Sequence, residues 1–456
     1  MQQKWTLKIE EFAKIKEAKI EISPFLVFIG ENNSGKSYIM TLLWGLFVLG
    51  RTLFPLQPPK NEAYQKCVNF LDEKIVENEY KMSTEDMELF IQFYNNILKD
   101  KKNYLLKKLF VTNCLSIKTL EIINYQRKEP LTIKFIEFID NKQRISSGKN
   151  YVKFPLDKKN ITNDQKYKIV QYICWKLLME DLTAPLFSMF DKKRINGEPI
   201  FLPASRTGFM LTYKSLIADV MINSWGYDKK TDINFTLPIV KFLQALIEQK
   251  ESKKKLHEDV INLLENEIIN GQIISKEEII NEYSYKQKSM KKDIPLHITS
   301  SLVVELAPLL IFLKSNLKYK SIFIEELEAH LHPKIQKLVT RAIIKLMNKK
   351  LPVVITTHSD IIFQHINNMI KLSNIKNKKD LMDKLGYDKD DLIDKYDKDD
   401  LIDKEDIKVY EFKVTNNQTE VIPLTLTDEG FEVPSFNNAL IELAEETITL
   451  SESLND

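Results

Sequence analysis

Gly30-Glu31-Asn32-Asn33-Ser34-Gly35-Lys36-Ser37 is the stretch whose reading decides the fold. It fits G-x-x-x-x-G-K-[ST] without a mismatch. An apolar run, Pro24–Ile29, precedes it, and an uncharged run, Ser37–Gly50, follows. That context predicts a buried strand, a phosphate-cradling turn and a buried helix. The chemistry explains the residue types. Gly30 and Gly35 let the backbone wrap closely round phosphate. The N–H groups of the loop, from Glu31 through Asn32, Asn33 and Ser34, face the anion together with the helix N-terminus. Lys36 reaches the β- and γ-phosphates of ATP, and Ser37 is placed to ligand Mg²⁺.

A P-loop needs a second, acidic element downstream. Ser321-Ile-Phe-Ile324 is a short apolar strand that runs into Glu325-Glu326. Glu325 is expected to hold Mg²⁺ through its water shell, and Glu326 to polarise the attacking water. Leu327-Glu328-Ala-His330-Leu-His332-Pro333 comes next. A second apolar strand, Leu351–Thr357, then ends at His358-Ser-Asp360. His330 and His332 are two residues apart, which is not the i,i+4 spacing of a helical zinc pair. Mg²⁺ is therefore the expected metal.

These segments carry a resemblance. The P-loop, the strand with two acids, "EAHLHP" and "TTHSD" resemble the ABC-type ATPase heads of the SMC, RecF and OLD group. They are most similar to its stand-alone bacterial members, the AAA family ATPases. The resemblance implies an α/β fold: an ABC-type P-loop ATPase head with a mixed sheet, an antiparallel β lobe and mostly helical insertions. In such relatives the acidic strand usually ends Asp-Glu-Pro; here Glu325 and Leu327 replace the Asp and the Pro. The resemblance makes His358 the switch histidine that contacts the γ-phosphate and the attacking water. It also implies a homodimer or a higher even-numbered oligomer, in which a signature segment closes on ATP held by the other subunit. The matching segment, Leu296-His-Ile-Thr299-Ser300-Ser301, has hydroxyls but no glycine. Ser300 and Ser301 are read as N-cap residues or γ-phosphate donors. Arg206 lies in a "PASRTG" segment shared with similar heads. Contact with phosphate, a partner subunit or nucleic acid, and a structural salt bridge, all stay open for it.

Outward from these motifs the chain divides into core segments 1–55, 196–210 and 296–415. Two insertions, 56–195 and 211–295, are expected to project from them, with a strand and helix extension at 416–456. In the first insertion Ser83-Thr-Glu-Asp86 starts a long helix like a capping box. The second is expected to hold a helix near Pro238–Gln249 and a β-ribbon near Gly271. Tyr387–Lys395 (YDKDDLIDK) recurs unchanged as Tyr396–Lys404. Its Asp spacing does not fit an EF-hand, so it reads as a surface elaboration.

Composition sets the outer limits. The chain has 456 residues, 66 Lys+Arg against 64 Asp+Glu, and 43% apolar residues. A net charge of +2 gives no global case for nucleic acid, which remains open only as a local patch. Lys253–Lys255, Lys318–Lys320 and Lys349–Lys350 read as solvated faces or as phosphate-backbone contacts. Only 11 residues are Gly, well under the usual ~7%. Three scattered cysteines make no disulfide framework and point to a reducing cytosol. No signal-peptide pattern and no run near the ~20 residues of a membrane span are present, so a cytoplasmic protein without membrane contact is expected.

No heptad arm, Toprim domain or nuclease motif is found, so the expected ATPase acts through a separate effector. Compact heads of this kind resemble the ATPase components of bacterial anti-phage systems, the PARIS system among them, in which the effector is a nuclease toxin. A RecF-type DNA-repair ATPase and an ATP-dependent scaffold with little turnover are the alternatives.

Overall fold

The computed structural model describes residues 1–137, 145–186, 197–225, 235–252, 256–277, 280–316, 319–375, 381, 398–427, 430–433 and 444–451. The chain opens with β1 (Gln3–Phe12), β2 (Ile15–Glu21) and β3 (Phe25–Gly30), then α1 (Lys36–Leu49). Next come α2 (Glu62–Lys74), β4 (Glu79–Lys81), α3 (Thr84–Phe110) and β5 (Thr119–Arg127). β6 (Thr132–Glu137), β7 (Ser146–Gly148), β8 (Tyr151–Leu156) and α4 (Asn163–Met179) follow. β9 (Ile200–Leu202) leads into α5 (Arg206–Trp225), α6 (Leu237–Glu248) and α7 (Glu258–Asn262). After them stand β10 (Gly271–Lys276), β11 (Glu282–Gln287) and β12 (Ile294–Pro295). The C-terminal part carries α8 (Ser301–Lys314), β13 (Ile322–Ile324), α9 (Pro333–Asn348) and β14 (Val353–Thr357). α10 (Asp360–Asn374), β15 (Ile407–Thr415) and β16 (Gln418–Pro423) follow.

Nine strands form one mixed sheet in the order β5-β1-β2-β16-β15-β3-β14-β13-β9. From β15 to β9 all pairings are parallel, while β5, β1 and β2 pair antiparallel. The parallel strands β3, β13 and β14 are buried throughout, as strands covered on both faces must be. Alternation along β3 separates two cores. Leu26 and Phe28 face one, with α1, α3 and α4. Phe25, Val27 and Ile29 face the other, with α8, α9 and α10.

The first insertion does not project. Its helices form the layer that covers α1. A Cβ at Gly45 of α1 would lie 2.3 Å from Leu109 of α3, and one at Gly50 would lie 2.5 Å from the Tyr94 hydroxyl. Two of the scarce glycines thus sit where α3 approaches α1. Moreover β5, from within 56–195, is the edge strand of the main sheet, with Ile122 opposite Leu7 and Leu120 opposite Ile9. β16 lies beyond residue 415 yet pairs with β15. The core is therefore assembled from more of the chain than the motifs mark.

Other expectations match the structure locally. Ser83 and Asp86 cap α3 reciprocally. α6 and the β10–β11 ribbon stand where the helix and ribbon of the second segment are expected. Among the described residues, no helix is long and apolar enough to cross a membrane. Lys253–Lys255 and Lys318 lie outside the described residues; Lys349 pairs with Asp259. Tyr387–Asp397 of the duplication also lie outside them. Lys398–Lys404 are described, and they are no surface elaboration: Asp400 and Ile402 are both fully buried.

Candidate active site

The parallel register brings four strand ends to one edge. Ile29 stands opposite Thr357, Ile355 opposite Ile324, and Ile324 opposite Leu202. Gly30 and His358 therefore leave the sheet side by side, and Glu325 and Pro203 leave it side by side at the level of Thr356. Crevices at the carboxyl ends of parallel strands are where α/β proteins place their ligands.

Gly30 has φ 132°, and a Cβ there would lie 2.3 Å from the Phe412 carbonyl on β15. Only glycine fits. Asn33 and Gly35 also have positive φ, 59° and 95°, and the loop curls round the Lys36 ammonium. Lys36 is buried, and its Nζ donates to the carbonyls of Gly30 (3.0 Å) and Glu31 (2.6 Å) and to Ser34 Oγ (3.2 Å). Burial lowers its pKa to about 8, against the opposing pull of Glu328, Glu326 and Glu31. Glu31, Asn32 and Asn33 are exposed at the mouth of the loop.

Ser37 and Glu325, read as the metal pair, are together. The Ser37 side chain faces the Glu325 carboxyl closely enough to pull its pKa down. The Ala204 N–H donates to Glu325 Oε2 at 3.3 Å. Burial, the larger effect, raises the Glu325 pKa, and these two groups oppose it. A hydroxyl and a carboxylate within reach of each other are hard oxygen donors of the kind Mg²⁺ takes. The longer Glu side chain still reaches Ser37.

Glu326 has a left-handed backbone, φ 45°, uncommon for a non-glycine residue. Both its backbone polar groups are held. Its N–H donates to Thr356 Oγ1 at 2.9 Å, and its carbonyl accepts from Arg206 Nη2 at 3.1 Å. Its side chain is exposed.

Arg206 is a buried structural clamp, which decides among its open readings. Nη1 donates to the carbonyls of Glu325 (2.6 Å) and Pro203 (3.2 Å). Nη2 pairs with Glu305 of α8 at 2.5 Å, and Glu305 also accepts from the Thr207 hydroxyl. The guanidinium thus joins α8 to the turn that carries both acids.

Glu328 is a residue that motif reading missed. It accepts from Thr357 Oγ1 at 2.7 Å and from the His358 N–H at 2.5 Å, fixing the end of β14. Its signal was its place in the "EAHLHP" segment. His358 is half-buried. Burial and then the Lys36 charge lower its pKa, so it is neutral at pH 7. His332 Nδ1 accepts from Lys334 N–H and caps α9, and His330 is exposed.

Ser300 and Ser301 are not brought to this edge by hydrogen bonds. Both are exposed at the start of α8. Ser300 occupies the N-cap position, yet its side chain caps nothing. Nearby Ile298 is also exposed, at 66%.

Comparison with known proteins gives a family. The AAA ATPase domain matches residues 5–363. No curated protein matches significantly. Three solved structures are similar at 12% identity. The first is an SMC head bound to the C-winged helix domain of ScpA, with TM-score 0.33, 92% of this chain covered and 98% of that one. The second is the SMC head domain from Thermotoga maritima, with TM-score 0.32 and coverage of 93% and 100%. The third is an Smc head with an extended coiled coil bound to the C-terminal domain of ScpA, derived from Pyrococcus furiosus, with TM-score 0.31 and coverage of 99% and 99%. Likenesses this weak assign no residue.

Proposed function

This chain belongs to the AAA ATPase domain family, and from that premise we propose that it binds and hydrolyses ATP with Mg²⁺ between two copies of itself. The observation that carries the reading is the meeting of Lys36, the Ser37–Glu325 pair, Glu326 and His358 at the ends of β3, β13 and β14. Lys36 exchanges the loop carbonyls for phosphate oxygens and so keeps its proton. Ser37 and Glu325 would hold Mg²⁺, which would supply positive charge against the triphosphate. Glu326, the exposed carboxylate on a clamped backbone, takes the proton of the attacking water. Neutral His358 hydrogen-bonds the γ-phosphate end of the site, and Glu328 positions it.

Ser300 and Ser301 on α8 are the donors offered to ATP on a second copy. Glu326→Gln is expected to trap the closed state. With Mg²⁺ and ATP, light scattering of that variant should report a dimer or larger even-numbered oligomer, and without ATP a monomer. A monomer in both conditions would contradict self-association, and an oligomer in both would contradict its dependence on ATP.

The effector is a separate protein, in keeping with the resemblance to anti-phage ATPases. Its test is ATP-dependent co-purification with the product of a neighbouring gene. Turnover that rises with duplex DNA would support the RecF-type reading instead. ATP-dependent oligomers without turnover would support the scaffold.

A further inference from the structure

The carboxyl ends of the parallel strands carry the proposed site. Their amino ends border a second concavity. Pro24, Pro352 and Asp406 stand just before β3, β14 and β15, level with one another because Phe25 pairs with both Val353 and Ile407. Lys128 follows β5 and donates its backbone N–H to the Gln2 carbonyl at 2.9 Å. Between these segments lies a cleft of about 520 Å³, within the size range of small-molecule sites. Four lysines from four separate segments line it: Lys128, Lys149 between β7 and β8, Lys320 shortly before β13, and Lys350 just past α9. All four are exposed, and among the described residues none of their ammonium groups has an ion-pair partner. Lys349 is spent on Asp259; its neighbour Lys350 is not. Lys350 also has φ 67°, a backbone for which glycine is the usual residue just past a helix. The carboxylates of the cleft are held by other donors. Asp181 accepts from the Gln2 N–H at 2.6 Å, and Glu129 from the Asn150 side-chain amide. Below the lysines the lining is apolar, with Met347 and Pro352 buried and Pro24 half-buried. Gln2 in the same lining is 6% exposed, and its side-chain oxygen has no partner.

We infer that this cleft is a binding site for a nucleotide-sized phosphate ester, separate from the P-loop. The lysine rim supplies charge-assisted donors to phosphate oxygens. The Pro24, Met347 and Pro352 surface receives a flat ring. Asp181 and Glu129 each keep lone pairs to accept from sugar hydroxyls or ring amino groups. The mixed lining separates this ligand from a nucleic-acid strand. A strand offers evenly spaced negative charge along an open track, and Glu129, Asp181 and Asp406 would face that charge here. A small ester places its phosphates on the lysines and its donors on the carboxylates. The site stands at the opposite edge of the sheet from the proposed hydrolysis. Pro24 and Pro352 precede β3 and β14, whose far ends lead into Gly30 and His358. The inference does not depend on ATP binding at the P-loop.

The test counts ADP bound per copy of the full chain by calorimetry with Mg²⁺. The unmodified protein is expected to show two binding events. Lys36→Ala should keep only the event at the cleft. Lys320→Glu combined with Lys350→Glu should keep only the event at the P-loop, with cleft affinity reduced by ~10²-fold or more. These lysines are exposed, so the unfolding midpoint of the pair should match that of the unmodified chain. Lys99→Glu with Lys101→Glu makes the same charge change on the exposed face of α3 and should alter neither event. If the P-loop takes no ADP, an event that survives Lys36→Ala and is lost in the Lys320 and Lys350 pair still upholds the cleft. The inference is overturned if Lys36→Ala abolishes all ADP binding, or if the second event survives the Lys320 and Lys350 pair. Equal weakening by the α3 pair would assign the event to diffuse charge and overturn it as well. So would a Lys36→Ala protein that binds a short oligothymidylate through Lys320 and Lys350 but takes no ADP.

Discussion

At the strand ends, Glu325 is bonded by Ala204, the Glu326 backbone by Thr356 and Arg206, and the end of β14 by Glu328. At the start of α8, Ser300 and Ser301 are exposed, and the Ser300 side chain caps nothing. Both regions belong to the proposed site, but the start of α8 is held through its backbone, with the Ser300 side chain unused. Fixed dipoles and carboxylates need no rearrangement when charge develops, which suits the strand ends to chemistry. Bare hydroxyls beside an exposed Ile298 suit α8 to meeting another surface. The two regions are nonetheless one mechanical unit. Arg206 bonds the carbonyls of Glu325 and Glu326 and pairs with Glu305 of α8.

The contrast can be broken first at its chemical end. Glu326→Gln keeps the clamped backbone and removes the base. Phosphate release is expected to fall ~10²–10⁴-fold with ATP binding retained. Unchanged turnover would move the base elsewhere. The joint between the regions is next. Arg206→Ala leaves Glu305 buried without its cation, and a loss of ~3–5 kcal/mol is expected in denaturant unfolding. Arg206→Lys should recover part of it, since one ammonium cannot reproduce the fork to both carbonyls.

At the bare end, Ser301→Arg is expected to leave the fold and single-copy ATP binding intact. ATP-driven association should weaken by about ten-fold or more, near 1.4 kcal/mol. An unchanged association constant would remove α8 from the interface.

The smallest effect is one of pH. Without ATP, Lys36 gives up its proton as pH rises through about 8; bound to triphosphate it keeps it. Binding then takes up a proton, so ATP affinity should fall above pH 8 by up to about ten-fold per unit. Calorimetry in buffers of different ionisation heat reads that uptake. The same group acts on folding with the opposite trend. Between its folded value, about 8, and its ordinary value, 10.5, the unfolded chain binds more protons, so the Lys36 contribution to stability rises with pH.

The strand ends were legible because phosphate and metal chemistry restrict the residue types allowed there. Gly30, Lys36, Ser37 and the Glu325-Glu326 pair are local patterns beside apolar strands. Arg206 was legible only as a scarce residue in a suggestive segment. Its role depends on Glu305, which reaches it from a distant helix, and no spacing rule connects them. Glu328 stood inside a quoted motif, but its hydrogen bonds run to Thr357 and His358 across the sheet. The packing of α3 on α1 left one trace, the glycines at 45 and 50, which the P-loop reading did not use. The duplication misled because a polar, acidic nonapeptide reads as surface. Asp400 is buried because Arg341 and Lys345 on α9 meet it there.

The claim that one copy's α8 completes another copy's P-loop is tested most directly by mixing two inactive variants. Lys36→Ala disables the P-loop and leaves α8 intact; Ser301→Arg does the reverse. Each alone should hydrolyse ATP at background rate. Mixed, they can form a pair with one complete site, and turnover should return at a fraction of the unmodified rate that depends on the mixing ratio. A mixture as inactive as its components would contradict the account.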